Sequence, residues 1–266
     1  MSPEKKSIIV NQKAYDQPSV FLPENLLREA RRQKSIARGV VPKICVLDPD
    51  GDILDSLLRR DCARINEHWA CYHTNLYDFE LDGVTYGIIG CAVGAPYAVL
   101  LAEELFVSGC ELLISITSSG QIIHKREPPF FLLIEKALRD EGTSYHYLPP
   151  SEFSYLDETL LTLLGDTFTE IDTPVFRGTT WTTDAPFRET QHAIDQAKSM
   201  NIDAVEMESA ALYAFSKMRS RDVVCFAHVT NQMANIKGDF EKGEAAGSRD
   251  SLRIISLTGS KWMSAQ

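Results

Sequence analysis

Asp203-Ala204-Val205-Glu206-Met207-Glu208-Ser209-Ala210-Ala211-Leu212-Tyr213 reads as a strand over 204–208 that runs straight into a helix over 209–219. Glu206 and Glu208 stand at the junction, where a core would take apolar side chains. On a strand, residues two apart point to one face, so a continuous strand presents both carboxylates together. A carboxylate held there is able to accept hydrogen bonds from sugar hydroxyls and to stabilise positive charge growing on a sugar ring. The competing reading is that one glutamate caps or pairs with the helix that follows.

Working outward, the same alternation recurs along the chain. Apolar runs predict strands over 43–47, 84–91, 111–117, 145–148, 174–181 and 222–230, and an extended ribbon over 68–81. Helical periodicity predicts helices over 53–60, 95–108, 130–140, 156–164, 188–200 and 245–264. Strands that alternate with helices predict an α/β fold: a central mixed, largely parallel sheet flanked by helices in three layers. The runs over 112–116 and 223–227 are apolar throughout, as strands covered on both faces are. Residues 1–40 read as an N-terminal extension packed on the core or on a neighbouring subunit. It carries a helix beginning at Pro23 and a basic end of Arg28, Arg31, Arg32, Lys34 and Arg38. Residues 41–266 read as a single domain.

The 266 residues include 44% hydrophobic and 24% charged, which suits a globular domain with a sizeable core. The net charge of −10 argues against nucleic acid and anionic membrane surfaces as partners, since both are gripped by basic surface. No apolar stretch approaches the ~18 residues of a membrane span, and the start lacks the apolar core of a secretory signal. The six cysteines form no Cys-x-x-Cys pair, and Cys45, Cys91 and Cys225 sit in apolar runs as buried thiols. A reduced, cytoplasmic protein is expected. The histidines show no metal-ligand spacing, so no metal is expected.

In sheets of this class, ligands bind at the carboxyl ends of strands. Three segments qualify: the Glu206–Glu208 junction, Thr117-Ser118-Ser119-Gly120, and Val229-Thr230-Asn231. A fourth, Gly90-Cys91-Ala92-Val93-Gly94-Ala95-Pro96, turns from a strand into a helix. There Gly94 lets the backbone approach a ligand. A fifth, Trp181-Thr182-Thr183-Asp184-Ala185-Pro186-Phe187-Arg188, offers Phe187 to stack on a planar ring and Arg188 to donate hydrogen bonds. Arg188 is equally placed to pair with Asp184 or Glu189 on the surface.

The Val-Glu-Met-Glu-Ser-Ala-Ala-Leu-Tyr run resembles the ribose-binding motif of the nucleoside phosphorylase superfamily, hexameric type and close to the uridine-cleaving branch. A weaker likeness extends from about residue 43 to about 232. The resemblance implies a three-layer phosphorylase-type fold and cleavage of the N-glycosidic bond of a nucleoside, by pentosyl transfer to phosphate. Carried over residue by residue, it gives Met207 to the sugar face, Glu208 to the sugar hydroxyls and Glu206 to the first motif glutamate. Ser118, with Ser119 beside it, falls on the phosphate- and sugar-contacting strand end, and Gly94 on the glycine turn. Phe187 and Arg188 fall on the base loop, and His73 on a segment that reaches a neighbouring active site. Asn231 falls where purine-cleaving relatives carry a proton-donating aspartate, which favours a carbonyl-bearing base. The implied ligand is a small-molecule nucleoside or nucleobase. No cofactor is implied beyond phosphate as co-substrate, and a homo-oligomer, dimer or hexamer, is implied.

The likeness breaks on the phosphate side. Leu47-Asp48-Pro49-Asp50-Gly51-Asp52 stands where the family carries a glycine and an arginine. Ser115 stands for a strand-end arginine, and Tyr72-His73 near the arginine lent by a neighbour. Carboxylates so close together repel a phosphate. Asp50 or Asp52 is able to act instead as the general base for water, as in the hydrolytic nucleosidases of the superfamily, or Asp52 simply N-caps the helix after it. Substitute cations are available in His124, Lys125, Arg126 and His73. Three readings therefore stand: phosphorolysis, hydrolysis, and a non-catalytic nucleoside- or base-binding protein.

Overall fold

Strand β1 (Ile44–Asp48) is buried at all five positions, and two parallel neighbours enclose it: β4 (Val84–Gly90) and β5 (Leu112–Gln121). These three strands form the centre of a ten-stranded mixed sheet. The structure is a computed structural model and describes residues 8–10, 13–169, 171–233, 239–240 and 242–266. From β4 the sheet continues antiparallel through β3 (Tyr77–Leu81) to β2 (Ala63–Ile65). On the other side β5 pairs in parallel with β10 (Asp222–Asn231) and antiparallel with β9 (Ala204–Glu206).

Two further strands, β6 (Phe130–Asp140) and β8 (Val175–Thr183), join β10 to β9. Strands β5, β10, β6, β8 and β9 thus close on one another, while β1, β4, β3 and β2 leave as an open wing. The parallel ladders are β1 with β4 and β5, β5 with β10, and β8 with β6 and β9; the others are antiparallel. Helices cover the sheet: α2 (Asp52–Arg59), α3 (Ala95–Val107), α5 (Glu158–Leu164), α6 (Gln191–Ser199), α7 (Ser209–Arg219) and α8 (Ser248–Met263). Helix α7 buries every residue from Ser209 to Ser216. Its three alanines let it lie close against both α3 and the sheet.

In the N-terminal region, α1 (Pro23–Lys34) follows a proline at its first turn. It buries Leu27 and Ala30 against Ala70. Part of its basic end is tied down: Arg31 donates to the carbonyls of Ala37 and His68, and Lys34 to that of Cys71.

Four expectations change. Residues 130–140 form a strand and not a helix. Their apolar run Phe130-Phe131-Leu132-Leu133-Ile134 is buried throughout, so it has no polar stripe to define a helix face, and ladders on both sides claim it. The expected strand at 145–148 is a single helical turn, α4 (Ser144–Tyr147); the Glu141 carboxylate accepts from the N–H groups of Thr143 and Ser144 and starts it. Strand β7 (Phe153–Tyr155) then pairs with β6.

The ribbon over 68–81 keeps only β3 as strand. Asn66 accepts from the His68 N–H and the Trp69 indole donates to the Thr74 carbonyl, so local bonds replace ladder bonds there. Cys45 and Cys225 are buried as expected, but Cys91 is exposed because the chain turns outward at a left-handed φ of 61°. None of the described helices is long and apolar enough to cross a membrane.

Candidate active site

The carboxyl ends of β5 and β10 lie side by side, and the short β9 runs antiparallel against the last residues of β5. Register pairs Gly120 with Val205, and Ser118 with His228. Strand β9 is short and ends at Glu206, so Glu208 lies beyond it, at φ −132° and ψ −39°, as the residue before α7. The two glutamates therefore do not share a face, and their side chains part.

Glu206 turns toward β8. One carboxylate oxygen accepts from the hydroxyls of Thr180 (3.0 Å) and Thr182 (2.5 Å). The other accepts from the main-chain N–H groups of Glu208 and Ser209, both at 2.7 Å. Four protein donors occupy a side chain that is only 3% exposed. Glu206 therefore holds the buried N–H groups at the start of α7 that have no acceptor within the helix. The substrate-binding role expected for it gives way to the capping role, because no lone pair is left toward a ligand.

Glu208 turns the other way, toward the start of α3. One oxygen accepts from the Gly94 N–H at 2.7 Å and the other from the Met207 N–H at 3.3 Å. Gly94 holds φ at 95°, a conformation L side chains rarely adopt, and that backbone aims its N–H at the carboxylate. Burial pushes the Glu208 carboxyl well above the usual range and the charge of Glu206 adds to the rise; the Gly94 N–H, the Thr117 hydroxyl and the Met207 N–H oppose it. Two main-chain donors leave lone pairs on this carboxylate, unlike that of Glu206. Met207 between them is half-buried.

On β5, the Ser118 hydroxyl lies 3.2 Å from that of Thr230, and the Ser118 N–H donates to the Asp50 carboxylate at 2.7 Å. Thr117 and Ser119 point to the opposite face. The buried Ser119 hydroxyl meets no hydrogen-bond partner among the described residues. Asn231 is buried, and its amide serves its own strand end: it donates to the Ser119 carbonyl and the Thr230 hydroxyl and accepts from the Met233 N–H.

The acidic loop after β1 divides its carboxylates by task. Asp48, buried, accepts from the N–H groups of Gly51 and Leu54 and so caps α2. The expected N-cap, Asp52, is the first residue of α2 and pairs with Lys242 instead. Burial raises the Asp48 carboxyl to about 7, and the charges of Asp50 and Asp52 add to the rise. Asp50 is raised too, chiefly by burial, with Lys242 and the Ser118 N–H pulling it down. The buried His228 imidazole stacks on Phe131 at 4.2 Å. Burial, and then the charge of Lys242, hold it down at about 4, so it is neutral.

The base-loop residues lie on the surface. Phe187 is 100% exposed on a short 3-10 turn, and Arg188 is exposed beside it. The surface pairing of Arg188 with Asp184 does not form; that carboxylate accepts from the Gly142 N–H. His73 is exposed, its N–H on the Cys71 sulfur and its carbonyl accepting from Tyr97. The substitute cations expected from 124–126 are otherwise engaged: Lys125 pairs with Asp203, and Arg126 lies 3.7 Å over the Phe176 ring. Lys242 is the cation at the acidic loop, and no motif in the sequence marked it. It stands 190 residues from Asp52 and is brought there only by the chain's return after β10. Among the described residues no group of three or more His, Cys, Asp or Glu is placed to hold a metal ion.

A mixed sheet with helices on it and buried acid at the strand ends defines a phosphorylase-type α/β protein. A family model described as the phosphorylase superfamily matches residues 43–256, and the chain belongs to that superfamily. Relatives include a guanosine phosphorylase of Halorubrum lacusprofundi, 26% identical over 138 residues, which are 52% of this chain and 57% of that protein. A uridine phosphorylase of Thermococcus kodakarensis is 23% identical over 188 residues, 65% of this chain and 66% of that one. The chain thus spans a little more than half to two thirds of these relatives' lengths. Among solved structures, the uridine phosphorylase of Vibrio fischeri ES114 superposes with a TM-score of 0.67 at 19% identity, covering 85% of this chain and 93% of that one, which shows the shared fold.

Proposed function

We propose that this chain cleaves the N-glycosidic bond of a nucleoside in the manner of a uridine phosphorylase, transferring the pentosyl group to phosphate as co-substrate. The observation that carries the reading is the split between the two motif glutamates. Glu206 is spent on the protein, while Glu208 is buried, held by the Gly94 N–H, and keeps lone pairs free. In this role Glu208 accepts the sugar hydroxyls, and once ionised, above its raised pKa of about 8, its negative charge stabilises the ring as the C1′–N bond breaks. Met207 packs on the sugar, Ser118 lines the side from which the nucleophile attacks, and Asn231, an amide unable to protonate a purine ring as a carboxylic acid does, favours a base bearing a carbonyl. Phe187 and Arg188 meet the base once their surface turn folds inward. His73 serves a neighbouring copy in a homo-oligomer, dimer or hexamer. No cofactor besides phosphate is needed, and a cytoplasmic setting suits the six free thiols.

A second reading, hydrolysis, is favoured by one observation: the Asp50 carboxylate occupies the Ser118 N–H, a donor well placed to bind an anionic nucleophile. The test is base release from a panel of purine and pyrimidine nucleosides, with and without phosphate, for the wild type and Glu208→Gln. Release that requires phosphate and vanishes in a folded Glu208→Gln variant is the expected result. Release indifferent to phosphate selects hydrolysis. Nucleoside binding without release selects a binding protein. Unchanged turnover in Glu208→Gln removes Glu208 from the sugar.

A further inference from the structure

A cavity of about 660 Å³ lies between α1, the segment over 36–40 and the carboxyl end of α3. Its walls are pinned. The Ile36 N–H donates to the Arg31 carbonyl, and the Val41 N–H to that of Ser108. Gly39 admits no side chain, because a Cβ there would strike the His68 ring. The cavity is remote from the strand-end site. Gly94, which holds Glu208, precedes α3, and Ser108 follows it; the 13 residues between them span about 20 Å.

Four arginines border this cavity: Arg28, Arg31, Arg32 and Arg38. Against them stand Glu24 in the wall and Glu29, which Arg28 and Arg32 share at 3.1 and 2.8 Å. Two positive charges are thus left over locally, in a chain whose net charge is −10. Helix-end bonding uses only part of them. Arg31 reaches the carbonyls of Ala37 and His68 through Nη1 alone, so its other nitrogens keep their donors. Arg38 makes no ion pair or hydrogen bond among the described residues. Its charge acts on Arg31, whose pKa is lowered by burial and then by Arg38. Two cations held together without an anion repel. Ser108 also borders the cavity; it is 6% exposed, and its hydroxyl meets no hydrogen-bond partner among the described residues. The carbonyls ending α3 do not oppose an anion freely, since those of Leu105, Phe106 and Ser108 accept from the N–H groups of Cys110, Gly109 and Val41. Leu27, Ile36, Val40 and Phe106 give the rest of the wall an apolar surface.

We propose that this cavity is a second ligand site, one that binds a small phosphate monoester such as a nucleoside 5′-monophosphate. A phosphate monoester carries close to two negative charges at neutral pH, which matches the surplus of the wall. Arg38, the free nitrogens of Arg31 and the Ser108 hydroxyl are its donors, and a guanidinium fork fits two phosphate oxygens at once. The organic body of the ester packs on the apolar wall. A bare phosphate would leave that wall and most of the volume unfilled, since cavities of this size hold whole organic ligands. The inference does not depend on nucleoside cleavage.

The experiment is calorimetric titration of the full chain with adenosine 5′-monophosphate and with inorganic phosphate, in the wild type, Arg38→Gln, Val40→Glu and Glu208→Gln. Arg38 and Val40 are exposed, and thermal melting confirms that each variant is folded. The wild type is expected to bind the monophosphate more tightly than inorganic phosphate, and less tightly as salt is raised. Arg38→Gln weakens that binding about tenfold. Val40→Glu, which sets a carboxylate against the ligand, abolishes it, and Glu208→Gln leaves it unchanged. Binding that is lost in Glu208→Gln but intact in Arg38→Gln and Val40→Glu overturns the inference and puts the ligand at the strand ends. Inorganic phosphate bound as tightly as the monophosphate overturns the assignment to an ester. No binding of the monophosphate by the wild type overturns the site itself. Base release by Arg38→Gln stays at the wild-type rate in every case, so the cleavage reading and this one fail separately.

Discussion

Replacing Glu206 by leucine separates a capping glutamate from a ligand-binding one. Leucine fills similar space but removes both carboxylate oxygens. The N–H groups of Glu208 and Ser209 then lose their acceptor inside the protein. Each unsatisfied buried donor costs about 1–3 kcal/mol. The Thr180 hydroxyl loses its partner as well, whereas Thr182 still accepts from the Ala210 N–H. Against this, the protein no longer buries a carboxylate, which returns part of the loss. The net destabilisation is about 2–4 kcal/mol, or roughly 4–7 °C in Tm for a chain of this size. Glu206→Gln should lose less than half as much, since its carbonyl oxygen accepts the two N–H groups and its NH2 donates to the threonine hydroxyls. Thermal melting and urea titration give the stabilities, and the nucleoside KM of Glu206→Gln gives the ligand effect. A Glu206→Leu protein that melts with the wild type while its KM rises would falsify the capping role.

Two further predictions follow from burial and exposure. Asp48 is held up at about 7 in the folded chain against 3.8 as its ordinary value, so the folded protein keeps a proton that the unfolded chain releases. Its stabilising contribution is therefore full below about pH 4 and is lost as pH rises to about 7, a change of at most about 4 kcal/mol. Urea unfolding between pH 4 and 7 should show Asp48→Asn gaining on the wild type across that span, and parallel pH curves would exclude the effect. Phe187 is wholly exposed, so Phe187→Ala should leave stability within about 0.5 kcal/mol of the wild type. If the ring stacks on a bound base, the same change raises the nucleoside KM by about three- to tenfold. An unmoved KM places the base elsewhere.

The strand-to-helix junction at 204–219 was legible because its two periodicities meet within a few residues, and the fully apolar strands at β5 and β10 announced a covered sheet. Residues 130–140 were not, since an apolar run buried on all sides carries no period that separates strand from helix. The closed ring of β5, β10, β6, β8 and β9 depends on that strand, so the misreading hid the closure as well. The site was legible by residue type but not by direction. Strand alternation put Glu206 and Glu208 on one face, yet the ladder stops at Glu206, and the turn into α7 sends the two carboxylates to opposite neighbours.

The acidic loop shows why chemistry could not be apportioned from the sequence alone. Asp48, Asp50 and Asp52 are the same residue type at alternate positions, and distant groups decide what each does. The N–H groups of Gly51 and Leu54 make Asp48 a cap, the Ser118 N–H makes Asp50 part of the site, and Lys242 takes Asp52. The three remain joined through charge, because Asp50 and Asp52 both help to hold the proton on Asp48. Below about pH 7 the loop therefore sets two carboxylates against one ammonium, and above it three. Raising the pH through this range adds a negative charge beside Asp50, which makes that carboxylate a stronger base and the approach of an anion harder. For the proposed phosphorolysis this raises the phosphate KM on the alkaline side, where phosphate itself carries more charge.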